Sequence, residues 1–333
     1  MSSAASLFTV QQFFTRYGMS TYVALGNLGN LLIIAIFAQR SHRHNPCSFY
    51  LLWMTICNLI CLDVGIIPII FSLDHADIST VSVVSCKVQF YVRHTSFQMM
   101  RHYKVLACID RFALSSMNAT IRTFSQYRIA KRMVIIGGIL WGLIVIFFAA
   151  VRTIENSSCN IFDPLYSLIY TIYYMVFAGV LPPLLIVFFS LLVMKNLKQM
   201  RARIKPTDTN VPSNHPGMNN TLRKRDRDLL KMVLVEVLFY VLSTLPFSIY
   251  LVYNMITSSA TKSKDRKQIE SFINYMTQSF LMYFNTALPF YIYILTSPSF
   301  RKQTRKLLWK VYAFSTGKPM RTEESGNTMI AAK

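Results

Sequence analysis

The chain has 333 residues, of which 53% are hydrophobic and only 15% charged, and its net charge is +21; ordinary soluble domains are roughly a quarter charged. Six cysteines in a chain this long exclude a disulfide-stapled scaffold. A basic excess of this size marks either a nucleic-acid binder, with cations spread over a polar surface, or a membrane protein, with cations gathered in the loops on one side.

The order of elements decides between them. Residues 1–15 carry no basic start and no small-residue cleavage site after a short apolar core, so the first apolar run reads as a retained span. A helix needs about 20 mostly apolar residues to cross a bilayer, and seven stretches qualify: 17–38, 48–71, 84–115, 131–151, 166–194, 229–256 and 271–295. Backbone in lipid must satisfy its own hydrogen bonds, which makes helices the default; the alternation of a transmembrane barrel is absent, and so is an internal repeat of the transporter kind. The expected fold is all-α, a seven-transmembrane helix bundle over 17–295 with 1–16 as an extracellular N-terminus. The segment 201–222, with Pro206, Pro212, Pro216 and Gly217, reads as an irregular loop. After the seventh span, Ser297 suits a cap and Pro298 a first helical position. Phe300, Leu307, Leu308 and Val311 then share a face among Lys302, Arg305, Lys306 and Lys310, which predicts a short amphipathic membrane-surface helix over 296–313. Residues 314–333 read as a disordered cytoplasmic tail.

With the N-terminus outside, 24 of the 35 Lys and Arg residues fall on the cytoplasmic side, seven on the other and four (Arg93, Arg101, Lys104, Arg111) inside the third span. This is the positive-inside pattern, and it accounts for the charge without nucleic acid. Asn156-Ser157-Ser158 is a glycosylation sequon in an extracellular loop of this topology.

Acids inside spans are costly unless paired or hydrated. Three are found: Asp63 in the second span, Asp110 at the end of the third and Glu236 in the inner half of the sixth. Together with other landmarks they carry a resemblance. Gly29-Asn30, Asp63, Asp110-Arg111-Phe112, Trp141, and the prolines Pro182, Pro246 and Pro289 of spans five, six and seven stand in the order of the rhodopsin-like (class A) G-protein-coupled receptors, which the chain resembles over nearly its whole length. Cys86 stands 25 residues before Arg111, the family's spacing, and Cys159 lies where its partner belongs.

The resemblance implies a receptor of the plasma membrane whose partners are an extracellular ligand, a heterotrimeric G protein and the bilayer, with no cofactor, no metal, no enzymatic activity and no nucleic acid. It implies a Cys86–Cys159 disulfide, and the extracellular compartment permits one. It implies a coupling switch at Asp110, Arg111, Phe112, Asp226 and Tyr293. Arg111 would pair with Asp110 and with Asp226, with Asp228 an alternative, so that spans three and six lock together until the sixth helix swings outward about Pro246. Asn30, Asp63 and Asn285 form the expected buried polar core, and Pro182, Pro246 and Pro289 the expected kinks. Several positions depart from the family pattern: Thr244 stands two residues before Pro246, Leu288 before Pro289, Ser190 eight residues after Pro182, Tyr293 four after Pro289, and Met100 at a position that helps bind sodium. These changes weigh against a sodium site at Asp63, which Asn285 is still placed to reach, and imply a different active-state network.

Arg93 replaces the aspartate of amine-binding relatives, which argues against a monoamine. With Gln89 and Tyr250 it is the candidate ligand pocket, where it would meet an acidic group such as a peptide carboxylate; an intramolecular partner, Asp163 or Glu270, is the alternative. A chemosensory receptor for small molecules is a second reading. A transporter or channel would need more in-span acids than these three. A retinal protein would need a lysine, and 268–300 holds none. A metal enzyme is disfavoured because His94 and His102 sit among cations.

Overall fold

The computed structural model describes residues 3–39, 42, 44–155, 157–203, 216–257 and 260–316. Asn156, Pro206, Pro212 and the tail beyond Thr316 lie outside them, as does the side chain of Asp226. Seven long helices follow in order: α1 (3–37), α2 (Pro46–Phe71), α3 (Val83–Ser115), α4 (Tyr127–Ala150), α5 (164–203), α6 (Pro216–Ile256) and α7 (264–296). A further helix, α8 (Pro298–Thr316), comes last. Helix already runs from Ser3, so the N-terminal segment is continuous with the first span.

The starts are written in local chemistry. Asn45 accepts from the Ser48 amide and Pro46 takes the first position of α2. Asp163 and Pro164 repeat that arrangement for α5, and Ser297 and Pro298 for α8, where the Ser297 hydroxyl accepts from the Phe300 amide at 3.1 Å. Three π-helical turns interrupt the outer halves of α1 (Phe14–Met19), α5 (Met175–Val180) and α7 (Tyr275–Leu281). The turn in α5 directly precedes Leu181 and Pro182. Pro289 opens a new segment of α7 after a break at Leu288, whereas α6 runs uninterrupted through Pro246.

Five helices are apolar and long enough to cross a membrane on length and composition alone; α3 and α7 are not among them. α3 can be polar because it is the hub: it packs against α2, α4, α5 and α6, and most of its length is buried. The peripheral helices do the reverse. On α4, Ile135, Ile139, Leu143 and Ile146 face outward, while Val134, Gly137, Trp141, Val145 and Phe148 face in; an outward apolar stripe of this kind is what lipid covers.

At the outer end, a hairpin of β1 (Thr153–Glu155) and β2 (Ser158–Asn160) pairs Ile154 with Cys159. Ser157, in the turn, takes the left-handed conformation (φ 56°) that tight hairpins need. Cys86, at the top of α3, is disulfide-bonded to Cys159 with a Cα–Cα distance of 5.7 Å, so the hairpin is held against α3 as the resemblance implied. At the top of α7, Glu270 accepts from Lys262 Nζ at 2.7 Å, Arg266 Nε at 2.9 Å and the Tyr253 hydroxyl at 2.8 Å. These donors, Lys262 foremost, hold the Glu270 carboxyl down at about 2.

Two outcomes test this outer architecture. Cys86→Ser should lower the melting temperature, since loss of a native disulfide costs about 2–5 kcal/mol, and Cys159→Ser should match it with no further loss in the double variant. A carboxyl held low in the fold stabilises above its unfolded value and loses that effect as pH falls through the folded one. The Glu270 clasp should therefore persist in mild acid and release only near pH 2, which the protection of the 260–270 amides from hydrogen exchange against pH would report.

Candidate functional site

The polar side chains of the bundle form three tiers. The outermost is cationic and aromatic. Arg93, Arg101, Tyr170, Tyr174 and Gln278 line an internal cavity of about 20 Å³ between α3, α5, α6 and α7. Arg93 lies against the Tyr283 hydroxyl. Tyr283 is brought there because Gly65 of α2 leaves room for its ring, which any Cβ at residue 65 would overlap. Arg101 is 2% exposed. It donates to Gln98 Oε1 at 3.0 Å and to the Tyr174 hydroxyl at 3.4 Å, and its guanidinium stands 5.3 Å from the Phe97 ring centroid; its Nε has no partner. Arg152, at the end of α4, stacks 3.7 Å over Phe90 and donates to the Cys159 carbonyl at 3.1 Å. Burial, with Arg93 nearby, pushes this guanidinium down to about 10. Among the described residues no carboxylate pairs with Arg93, Arg101 or Arg152. Both intramolecular candidates for Arg93 are used elsewhere: Asp163 caps α5 and Glu270 holds Lys262 and Arg266.

The other two members of the expected pocket are not with Arg93. Gln89 turns to α2, donating to the Val64 carbonyl at 3.5 Å. Tyr250 lines a separate apolar groove between α6 and α7 with Leu242, Pro246 and Ile273. Gln89 and Arg93, one turn apart, share a face of α3, but Gln89 reaches the α2 backbone while Arg93 lies against Tyr283 of α7.

The middle tier is one ion pair. Lys104 Nζ of α3 and Glu236 Oε1 of α6 stand 2.8 Å apart, with side chains 2% and 1% exposed. The other carboxylate oxygen accepts from the Tyr293 hydroxyl of α7 at 2.6 Å. The Lys104 ammonium also lies 5.1 Å from the centroid of Tyr240, whose hydroxyl donates to the Ala178 carbonyl of α5. Four helices thus converge on a single carboxylate and its counter-ion. Lys104, Glu236 and Tyr293 are each conspicuous in the sequence; their convergence is not, because it rests on three separate helix rotations.

The expected polar core is partly rearranged. Asn30 is buried and donates to the Thr286 carbonyl at 3.2 Å, and Asn285 is buried beside it in sequence. Asp63 is not in that core. It is half-buried and accepts from Asn27 Nδ2 at 2.6 Å. The buried amide of α2 is Asn58, 1% exposed, which sequence reasoning missed; it stands five residues from Asp63, roughly 140° around the helix.

The innermost tier holds Asp110-Arg111-Phe112. Arg111 donates to Asp110 through Nε at 3.1 Å and Nη2 at 2.5 Å, and through Nη2 to Asn45 Oδ1 at 3.4 Å. Asp110 also accepts from the Ser125 hydroxyl at 2.7 Å. Phe112 packs on Phe189 of α5. Asp228, the alternative acid on α6, accepts from Ser299 of α8 at 2.8 Å.

The central pair makes a sharp energetic prediction. Removing one member leaves the other buried without a counter-charge, at a cost of about 3–5 kcal/mol, whereas replacing both with apolar groups is often neutral. Lys104→Met should therefore lower the melting temperature markedly, and the Lys104→Met/Glu236→Leu double variant should recover most of the loss. Additive losses in this cycle would show that the two side chains are not coupled.

No curated protein matches the chain. The family described as 7 transmembrane receptor (rhodopsin family) matches residues 29–293, a stretch that opens at Gly29-Asn30, contains all three tiers and closes on Tyr293. The chain belongs to that family of multi-pass membrane receptors that act through G proteins.

Proposed function

We propose that the chain is a ligand-activated receptor of the plasma membrane, N-terminus outside, in which an acidic ligand engaging Arg93 releases the inner end of α6 for a heterotrimeric G protein. The observation that carries this reading is the carboxylate of Glu236, which ties α6 to α3 through Lys104 and to α7 through Tyr293 at mid-bundle. Pro246 lies ten residues above it on α6 and offers no N–H to the preceding turn. A helix held at one point below such a position turns outward when that point is released. Below it, Arg111 folded onto Asp110 is a resting arrangement, because the guanidinium is occupied within its own helix. The positive-inside distribution supports the orientation, and the amphipathic sequence of α8 supports its place on the inner leaflet.

Arg93 supports the ligand's acidic group, since no described carboxylate competes for it. A peptide carboxylate and a small chemosensory acid share this chemistry, and paired free-acid and amidated ligands separate them from ligands that use no acid at all.

Ligand binding shifts a two-state equilibrium only by its differential affinity, with about 1.4 kcal/mol per tenfold. In cells reporting G-protein activation, Glu236→Gln, which keeps the shape and removes the charge, should raise ligand-free signalling severalfold, and Arg111→Ala should abolish it. Arg93→Gln should weaken an acidic agonist at least tenfold with the maximal response unchanged. Ligand-free signalling unchanged by Glu236→Gln would overturn the latch. A cellular response that persists without any G protein would overturn the coupling.

A further inference from the structure

The outer cavity poses a charge problem that the receptor reading leaves open. Arg93 and Arg101 line it together, with His94, Tyr170, Tyr174 and Gln278. Among the described residues the acidic side chains of the bundle are committed elsewhere: Asp63 to Asn27, Asp110 to Arg111, Asp228 to Ser299, Glu236 to Lys104 and Tyr293, and Glu270 to Lys262 and Arg266. Two guanidiniums at one small cavity, Arg101 buried and Arg93 partly buried, with no carboxylate among the described residues is an expensive arrangement, because a buried charge needs a counter-charge. Arg101 states the deficit in atomic terms: it is 2% exposed, its Nη atoms reach only neutral acceptors, and its Nε finds none.

The space itself selects what would supply the negative charge. At about 20 Å³ the space is on the scale of a single small particle. Its walls suit an anion: guanidinium N–H groups, the Gln278 amide, and aromatic rings, whose edges carry the positive end of their quadrupole. We propose that this cavity is a binding site for a single monoatomic anion, chloride under physiological conditions, held between Arg93 and Arg101. The ion neutralises the resting bundle where α3, α5, α6 and α7 meet. The site is a property of the resting folded chain, and an acidic ligand that engages Arg93 would compete with the ion for that guanidinium.

The test uses purified full-length protein in detergent or nanodiscs, melted in sodium chloride and in sodium gluconate at equal ionic strength. Gluconate is too large for the cavity. Anything bound only by the folded state raises its melting temperature, so chloride is expected to raise it by about 3 °C or more, saturably, with bromide substituting. Arg101→Gln should bring the two curves together, while Arg101→Lys should retain a chloride effect. Should Arg101→Gln fail to fold, Arg93→Gln gives the same comparison, and bromide anomalous scattering in crystals of the unaltered chain locates the ion directly. Equal melting in both salts, meaning that a water fills the cavity, would overturn the proposal. So would a chloride effect that survives in Arg93→Gln/Arg101→Gln. None of these readouts involves signalling, so a failure here leaves the G-protein latch standing, and a failure of the latch leaves the anion site standing.

Discussion

An ammonium and a carboxylate 2.8 Å apart and almost wholly out of water impose the geometry of the bundle. Neither can be left alone at that depth, so α3 and α6 must present Lys104 and Glu236 at the same height and on facing sides. The remaining carboxylate oxygen needs a donor as well, which brings Tyr293 and fixes the rotation of α7 below its break at Leu288. Apolar packing alone tolerates small slides and rotations of helices. A buried ion pair whose carboxylate also accepts a tyrosine hydrogen bond does not, because the ion pair weakens with distance and the hydrogen bond with distance and angle. The pair is a weak source of net stability and a strong source of register.

The polarity of α3 follows from where it stands. A helix surrounded by α2, α4, α5 and α6 meets lipid along little of its length, so it can carry Arg93, Arg101, Lys104, Asp110 and Arg111 that a peripheral helix could not. The same burial separates those charges into kinds. In the inner half, cations and acids match: Lys104 with Glu236, Arg111 with Asp110. In the outer half only cations are present, relieved by rings, hydroxyls and carbonyls. The two halves of one helix therefore obey different electrostatic regimes.

Much of this was legible in the amino-acid order. Five of the spans follow from hydropathy, the caps of α2, α5 and α8 from Asn45-Pro46, Asp163-Pro164 and Ser297-Pro298, and the cysteine pair from the family spacing. Which polar side chains meet was far less legible. Asp63 looked like the buried acid of the second span, yet Asn58 occupies the interior; five residues change the face while leaving the hydropathy of the segment the same. Arg93, Gln89 and Tyr250 looked like one pocket, yet Gln89 turns to the backbone of α2 and Tyr250 lines a groove between α6 and α7. Rotation is set by contacts across the whole bundle, and a one-dimensional pattern records it only through the apolar stripe, which on the buried α3 is hardly a stripe at all.

The π-helical turns at Phe14–Met19, Met175–Val180 and Tyr275–Leu281 bear on that rotation. Each accommodates one residue beyond the count an α-helix would use, and one residue is worth about 100° of turn. All three lie toward the outer ends of their helices, and Thr15 and Tyr275, which belong to two of them, are hydrogen-bonded to each other at 2.7 Å. Each turn therefore sets the aim of everything outward of it, including the tyrosines of α5 that face Arg101, apart from the register of the inner half, so the outer chamber and the junction at Glu236 are oriented by different stretches of the same helices.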